Sequence, residues 1–189
     1  MSFLFIGSTG DSAGHTLLTW AILRRLSERG YRVGFVKPFG TRPARIDGTW
    51  TDHDALLFKE ELALPESLPE ICPYPLADGA WKEKETTTSF EDMKRSMEKL
   101  SHGKDVLVVM GSKHIFVDDV TRPLPDISII PALEADLILI HRYRKVSKSV
   151  YSILSVCSLL PNNIKEILFN RVATGELQTL REKVVTPLL

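Results

Sequence analysis

The stretch FIGSTGDSAGHTLLTWAILRRL, residues 5–26, decides how the rest of the chain reads. An apolar run leads into a glycine-rich turn. Leu17, Leu18, Ala21, Ile22 and Leu26 then recur at helical spacing, and Gly30 closes the pattern. A strand that feeds a glycine turn and a helix N-terminus is a ready anion site. The first backbone N–H groups of the helix have no intrahelical partner, and the helix dipole adds positive potential.

The remainder alternates in the same way. YRVGFVKP (31–38) reads as a second strand, ending before Pro38, and DHDALLFKEELAL (52–64) as a helix. Residues 65–84 hold several prolines and little periodicity, which predicts a long surface connection. SFEDMKRSMEKLSHG (89–103) is a helix punctuated by Ser89, Glu91 and Asp92 at its start and Gly103 at its end. DVLVVMG (105–111), ADLILIHRY (135–143) and IKEILFNRV (164–172) are apolar runs of the kind buried on both faces of a sheet, and a helix over 147–159 separates the last two. The expected fold class is therefore α/β: a doubly wound, mostly parallel sheet flanked by helices, in one domain spanning 1–189. ELQTLREKVVTPLL (176–189) reads as a last helix with no strand after it. Leu189 is read either as a boundary beyond which a longer protein continues or as a natural C-terminal helix.

Composition narrows the function classes. The 189 residues are 43% hydrophobic, with 24 basic and 24 acidic side chains. A formal net charge of zero supplies no global field toward nucleic acid or an anionic membrane, so neither is expected as a partner. No apolar run reaches the roughly 20 residues that span a bilayer, and the N-terminus has no basic leader. Cys72 and Cys157 match no metal motif and read as free thiols in a reducing compartment. The expected location is the cytoplasm.

The loop GSTGDSAGHT (7–16) keeps Gly14 and Thr16 but carries His15 where a phosphate-binding loop has its lysine. Neither Gly7 nor Gly10 stands five residues before Gly14, so the strict spacing is not met.

The set of motifs, in order, resembles dethiobiotin synthetase and, more closely, the dethiobiotin-synthetase-like N-terminal domain of bacterial phosphotransacetylases. The resemblance covers nearly all of residues 3–172. It implies a P-loop fold whose loop is one residue longer before the Gly-Lys-Thr, which places Ser8 at the first glycine, Gly14 at the second, His15 at the lysine and Thr16 at the threonine. GFVKPFG (34–40) resembles the second strand with its Lys37–Pro38 pair, and DHDALLF (52–58) the segment whose aspartate, here Asp54, binds magnesium. ICPYPL (71–76) follows where the family has an Asn-Pro-Tyr-like turn. DVLVVMGS (105–112) resembles the strand that ends in an acidic residue and glycine; the glycine is Gly111, and Met110 stands at the acidic position. ILFNRV (167–172) resembles the strand whose asparagine, here Asn170, contacts adenine.

The resemblance thus implies ATP or another nucleotide, with magnesium, as the ligand. Gly14, His15, Thr16, Lys37 and Asn170 would contact it, Thr16 and Asp54 would hold the metal, and Lys37 would be the catalytic residue of an active member. His15 and Met110 remove two charges from that apparatus. A neutral imidazole replaces an ammonium, and a thioether replaces a carboxylate that would hold hard Mg²⁺. Asp118, Asp119 and Lys113 lie where they could approach the same edge. The leading expectation is a non-catalytic domain that regulates or assembles a larger protein. The alternatives are an active ATP- and magnesium-dependent ligase forming a cyclic urea or amide, as the resemblance implies, and a pure protein-interaction module. A homodimer and an acyltransferase domain or partner are the expected associations.

Overall fold

The computed structural model describes residues 2–75, 90–116 and 124–188. Its centre is a five-stranded parallel sheet. In chain order the described elements begin with β1 (Ser2–Ser8), α1 (His15–Glu28), β2 (Val33–Val36), β3 (Phe39–Gly40), β4 (Pro43–Ile46), β5 (Thr49–Asp52), α2 (His53–Glu61), α3 (Leu68–Ile71) and β6 (Tyr74–Pro75). They continue with α4 (Phe90–Ser101), β7 (Val106–Met110), α5 (Asp126–Ala132), β8 (Asp136–Arg142), α6 (Val146–Leu159) and β9 (Ile164–Asn170). The chain then turns helical from Thr174 to Leu188, passing through a π-helical stretch at Arg181–Val185.

The sheet order is β2-β7-β1-β8-β9, and each neighbouring pair runs parallel. The chain leaves β1 for β2 on one side. It returns to fill the gap with β7 and then crosses to β8 on the other side. Connections diverge at the carboxyl end of β1, which is where open α/β sheets bind ligands.

The apolar runs are continuous because both sheet faces are covered. Along β1, Phe5 joins the core beneath α4, α5 and α6, while Ile6 joins the opposite core beneath α1, α2 and α3. Leu107 and Val109 face the first core, and Val106, Val108 and Met110 the second. This period of two across a doubly covered strand is what the valine-rich run encodes. Leu180 and Val184 of the C-terminal helical segment form a smaller cluster with Tyr143.

Two features differ from the sequence reading. Residues 65–75 are not merely a surface connection. The Ser67 N–H and hydroxyl both donate to Glu70 Oε2, at 2.9 and 2.8 Å, a capping arrangement that starts α3. Pro69 sits in the first turn, where its missing N–H costs nothing. Ile71 and Cys72 are buried, and β6 then pairs with β3. The rest of the expected connection, and Ser89 at the start of α4, lie outside the described residues.

The second feature is the antiparallel hairpin β4–β5. Its turn is Asp47–Gly48, with φ of 48° and 82°. Positive φ at both central residues is the requirement of the tight turn that matches strand twist, so the Asp-Gly pair was its readable signal. The hairpin delivers Asp52 to the N-cap of α2, where its side chain accepts a hydrogen bond from the Asp54 N–H.

Phe58 anchors α2. It is fully buried and meets Phe35 edge-on with ring centroids 4.6 Å apart. Phe58→Ala is expected to cost about 3–5 kcal/mol in urea unfolding. Amide exchange should accelerate most in α2, because that helix loses its main apolar contact.

Candidate functional site

The loop between β1 and α1 is held by its own hydrogen bonds. Ser8 Oγ lies 2.7 Å from the Gly10 carbonyl oxygen and accepts from the Gly10 N–H at 3.0 Å. Thr9 Oγ1 is 2.6 Å from His141 Nδ1, and His141 Nε2 is 2.8 Å from Ser149 Oγ, so the loop is tied through β8 to the first turn of α6. Gly14 has φ of +111°, and a Cβ there would stand 2.6 Å from Asn170 Nδ2. The positive φ favours glycine, and a Cβ would also have to displace the Asn170 amide. Among the described residues no side chain caps α1, and its first turn holds no acidic residue of its own, so its leading N–H groups remain available at the cavity.

That cavity, about 660 Å³, opens at the carboxyl edge of the sheet. Asp11, Gly14, His15 and Thr16 form one wall, Lys37, Arg42 and Asp54 a second, and Met110 to Lys113 a third. His15, Thr16, Lys37, Asp54 and Met110, far apart in sequence, therefore meet at one place. Lys113 and Arg171 line it too. Asn170 does not: its amide donates to the Ala13 carbonyl at 2.7 Å and its Oδ1 accepts from the Arg171 N–H at 2.8 Å. Its role in this structure is to hold the loop. Asp118 and Asp119 lie outside the described residues.

Lys37 is only 2% exposed. Its Nζ stands 2.8 Å from Asp52 Oδ1 and 2.6 Å from Asp54 Oδ2. Asp52 also accepts from the Asp54 N–H at 2.8 Å and the Arg42 N–H at 2.7 Å. The Thr16 hydroxyl donates to Asp54 Oδ1 at 3.0 Å, and the exposed Arg42 guanidinium is 3.8 Å from the same oxygen. Burial pushes the Asp54 carboxyl up, but the Lys37 ammonium, the Thr16 hydroxyl and Arg42 together outweigh it and hold it below its ordinary value. Two cations thus meet two carboxylates, and the group is internally neutral. The Asp52-x-Asp54 spacing was visible in the sequence. The engagement of both carboxylates by one lysine was not, because it needs the β4–β5 turn.

His15 sits differently. Burial, with the nearby Lys37 ammonium, lowers its pKa to about 4 against the partial opposition of Asp54 and Asp11. It is neutral at pH 7. Its Nε2 is buried and has no hydrogen-bonding partner among the described residues. Met110 is 3% exposed and presents a thioether to the cavity.

A magnesium ion would look to Thr16 and Asp54. Both Asp54 oxygens are engaged, one by an ammonium, and Met110 offers sulfur where a hard cation prefers oxygen. Among the described residues no group of three His, Cys, Asp or Glu side chains could hold a metal. The donor set does not fit a magnesium ion bound by the protein alone.

A parallel sheet in this order, with a glycine loop at the carboxyl end of its central strand, defines the class of P-loop NTPase-like α/β proteins. The kinase domain of Escherichia coli tyrosine kinase ETK shares it with a TM-score of 0.60 at 14% identity, over 92% of this chain and 68% of that one. The MinD cell division protein of Aquifex aeolicus does so with a TM-score of 0.54 at 15% identity, over 95% and 73%. Identities this low show the fold alone.

Within that class, a family model described as an AAA domain matches residues 3–189, and the chain belongs to that family. Its curated relatives include ATP-dependent dethiobiotin synthetase BioD 2 of Yersinia pestis, 28% identical over 109 residues, 57% of this chain and 49% of that protein. The ATP-dependent dethiobiotin synthetase BioD of Aquifex aeolicus is 32% identical over 119 residues, 60% of this chain and 51% of its own. The chain spans about half the length of these relatives. In the described residues no helix is long and apolar enough to cross a membrane.

The lowered His15 pKa makes a signed prediction. Between about pH 6.5 and pH 4 the unfolded chain takes up a proton that folded His15 refuses. Stability is therefore fully present above pH 6.5 and declines as pH falls toward 4. His15→Gln should remove that component. Urea midpoints at pH 7 and pH 4.5 should fall further for wild type than for the variant; equal falls would mean that His15 is not held neutral.

Proposed function

We propose that this chain is a dethiobiotin-synthetase-like P-loop domain that takes a nucleotide or other phosphate-bearing ligand weakly and does not catalyse phosphoryl transfer. Its role is regulatory or structural. The reading fits a cytoplasmic, homodimeric protein of the phosphotransacetylase-associated type, working with further C-terminal domains or an acyltransferase partner.

The observation that carries it is the state of the loop's charges. The backbone cradle is intact, with Gly14 in its left-handed conformation and the α1 N-terminus uncapped. Three positions that would carry the chemistry are altered or occupied, though Lys113 and Arg171 also line the cavity: His15 is neutral, Met110 brings no carboxylate for a metal, and Lys37 is paired. Phosphoryl transfer rests on positioning and charge neutralisation, and losing one such donor commonly costs about two to three decades in rate. The His15 Nε2, without a partner among the described residues, belongs to a residue that lines the cavity and supports a ligand there.

Calorimetry tests the reading. ADP and Mg-ATP are expected to bind with a Kd on the order of 0.1 mM or weaker, without phosphate release. The double variant His15→Lys, Met110→Glu restores both charges and should bind at least about tenfold more tightly. Submicromolar, magnesium-dependent binding of ATP with turnover by wild type contradicts the proposal.

The adjacency of Thr16, Lys37 and Asp54 favours a second reading, an active ATP- and magnesium-dependent ligase that closes a cyclic urea. Phosphate release from Mg-ATP in the presence of a vicinal diamine and bicarbonate would establish it; no release above the protein-free rate would dismiss it.

A further inference from the structure

We propose that Asp52 sets how strongly this cavity holds phosphate, by keeping the Lys37 ammonium turned into the protein. Asp52 acts through Lys37 and touches no ligand; it is a positioning residue. The inference rests on the phosphate reading of the cavity in its binding arm only.

Asp52 is fully buried, and its two oxygens receive three donors. Two are backbone N–H groups, of Asp54 and Arg42. Neither needs a charge, since asparagine and serine cap helices about as well as aspartate. The third is Lys37 Nζ at 2.8 Å. Asp54 could hold that ammonium alone at 2.6 Å, but it already serves the Thr16 hydroxyl and stands near Arg42. The second carboxylate therefore adds little to local architecture and much to the hold on Lys37. An incoming phosphate oxygen must compete with two buried carboxylates for one ammonium, in surroundings where charge-assisted bonds are strong. Lys37 lines the cavity, and its four-carbon stem leaves the ammonium free to turn once one carboxylate is gone.

The test has an arm that needs no ligand. Folded protein is labelled with limiting acetic anhydride, and the rate at Lys37 is compared by mass spectrometry with that at the exposed Lys145. In wild type Lys37 should be strongly protected. In Asp52→Asn its rate should rise at least about tenfold with the α2 cap retained. Asp52→Ser, which also caps without charge, repeats the test should the first variant fold poorly. Wild-type Lys37 labelling as fast as Lys145, or protection unchanged in both variants, overturns the proposal.

The second arm measures ADP binding by calorimetry without magnesium. Asp52→Asn should bind about tenfold more tightly than wild type. Equal, measurable affinities overturn the role of Asp52 in tuning the cavity. Faster labelling with no ADP bound by any variant instead supports the hold on Lys37 and contradicts the phosphate reading of the site.

Discussion

The site is organised around one ammonium group held between two carboxylates. Lys37 leaves the end of β2, enters the protein and meets Asp52 and Asp54 at hydrogen-bonding distance, with almost no exposure to water. A charge so placed is tolerable only because it is paired; with neither carboxylate it would be stranded in a low-dielectric setting. The surrounding structure follows from keeping the three groups together. The β4–β5 hairpin carries Asp52 in from one direction. The first turn of α2 presents Asp54, and α1 contributes the Thr16 hydroxyl.

The same arrangement decides what the loop can do. The glycine turn and helix start keep the geometry of an anion cradle. Geometry supplies backbone N–H groups and a dipole, which together favour an anion modestly. Discrete cations do the heavier electrostatic work in phosphoryl transfer. Here the imidazole of His15 is neutral and the lysine faces inward. That pairing supports the proposed reading, in which the cavity recognises a phosphate rather than transforming one.

Much of the fold was legible because its signals are local. The valine and isoleucine runs announced strands covered on both faces, and the alternation of runs with helical patterns announced a parallel sheet. The convergence of residues 15, 16, 37, 54 and 110 was legible only through the order of family-like motifs, since no periodicity relates positions so far apart. Three things escaped. The Asp47–Gly48 hairpin was hidden inside a stretch with no strong alternation. Residues 65–75 looked like a connection because prolines obscured a capping arrangement at Ser67 and Glu70. The inward turn of Lys37 had no sequence signal, because a strand-end lysine ordinarily reaches water. It becomes apparent only when the hairpin brings Asp52 beside it.

The ammonium protons of Lys37 offer the most direct measurement. In protein labelled with nitrogen-15, a lysine clamped between two carboxylates should show a charged-ammonium signal at neutral pH, its protons shielded from exchange with water. Its nitrogen should respond when Asp54 titrates in acid. That signal is the result the structure predicts. An ammonium that exchanges as fast as those of exposed lysines at neutral pH and low temperature would contradict it, and would return Lys37 to the cavity as a free cation.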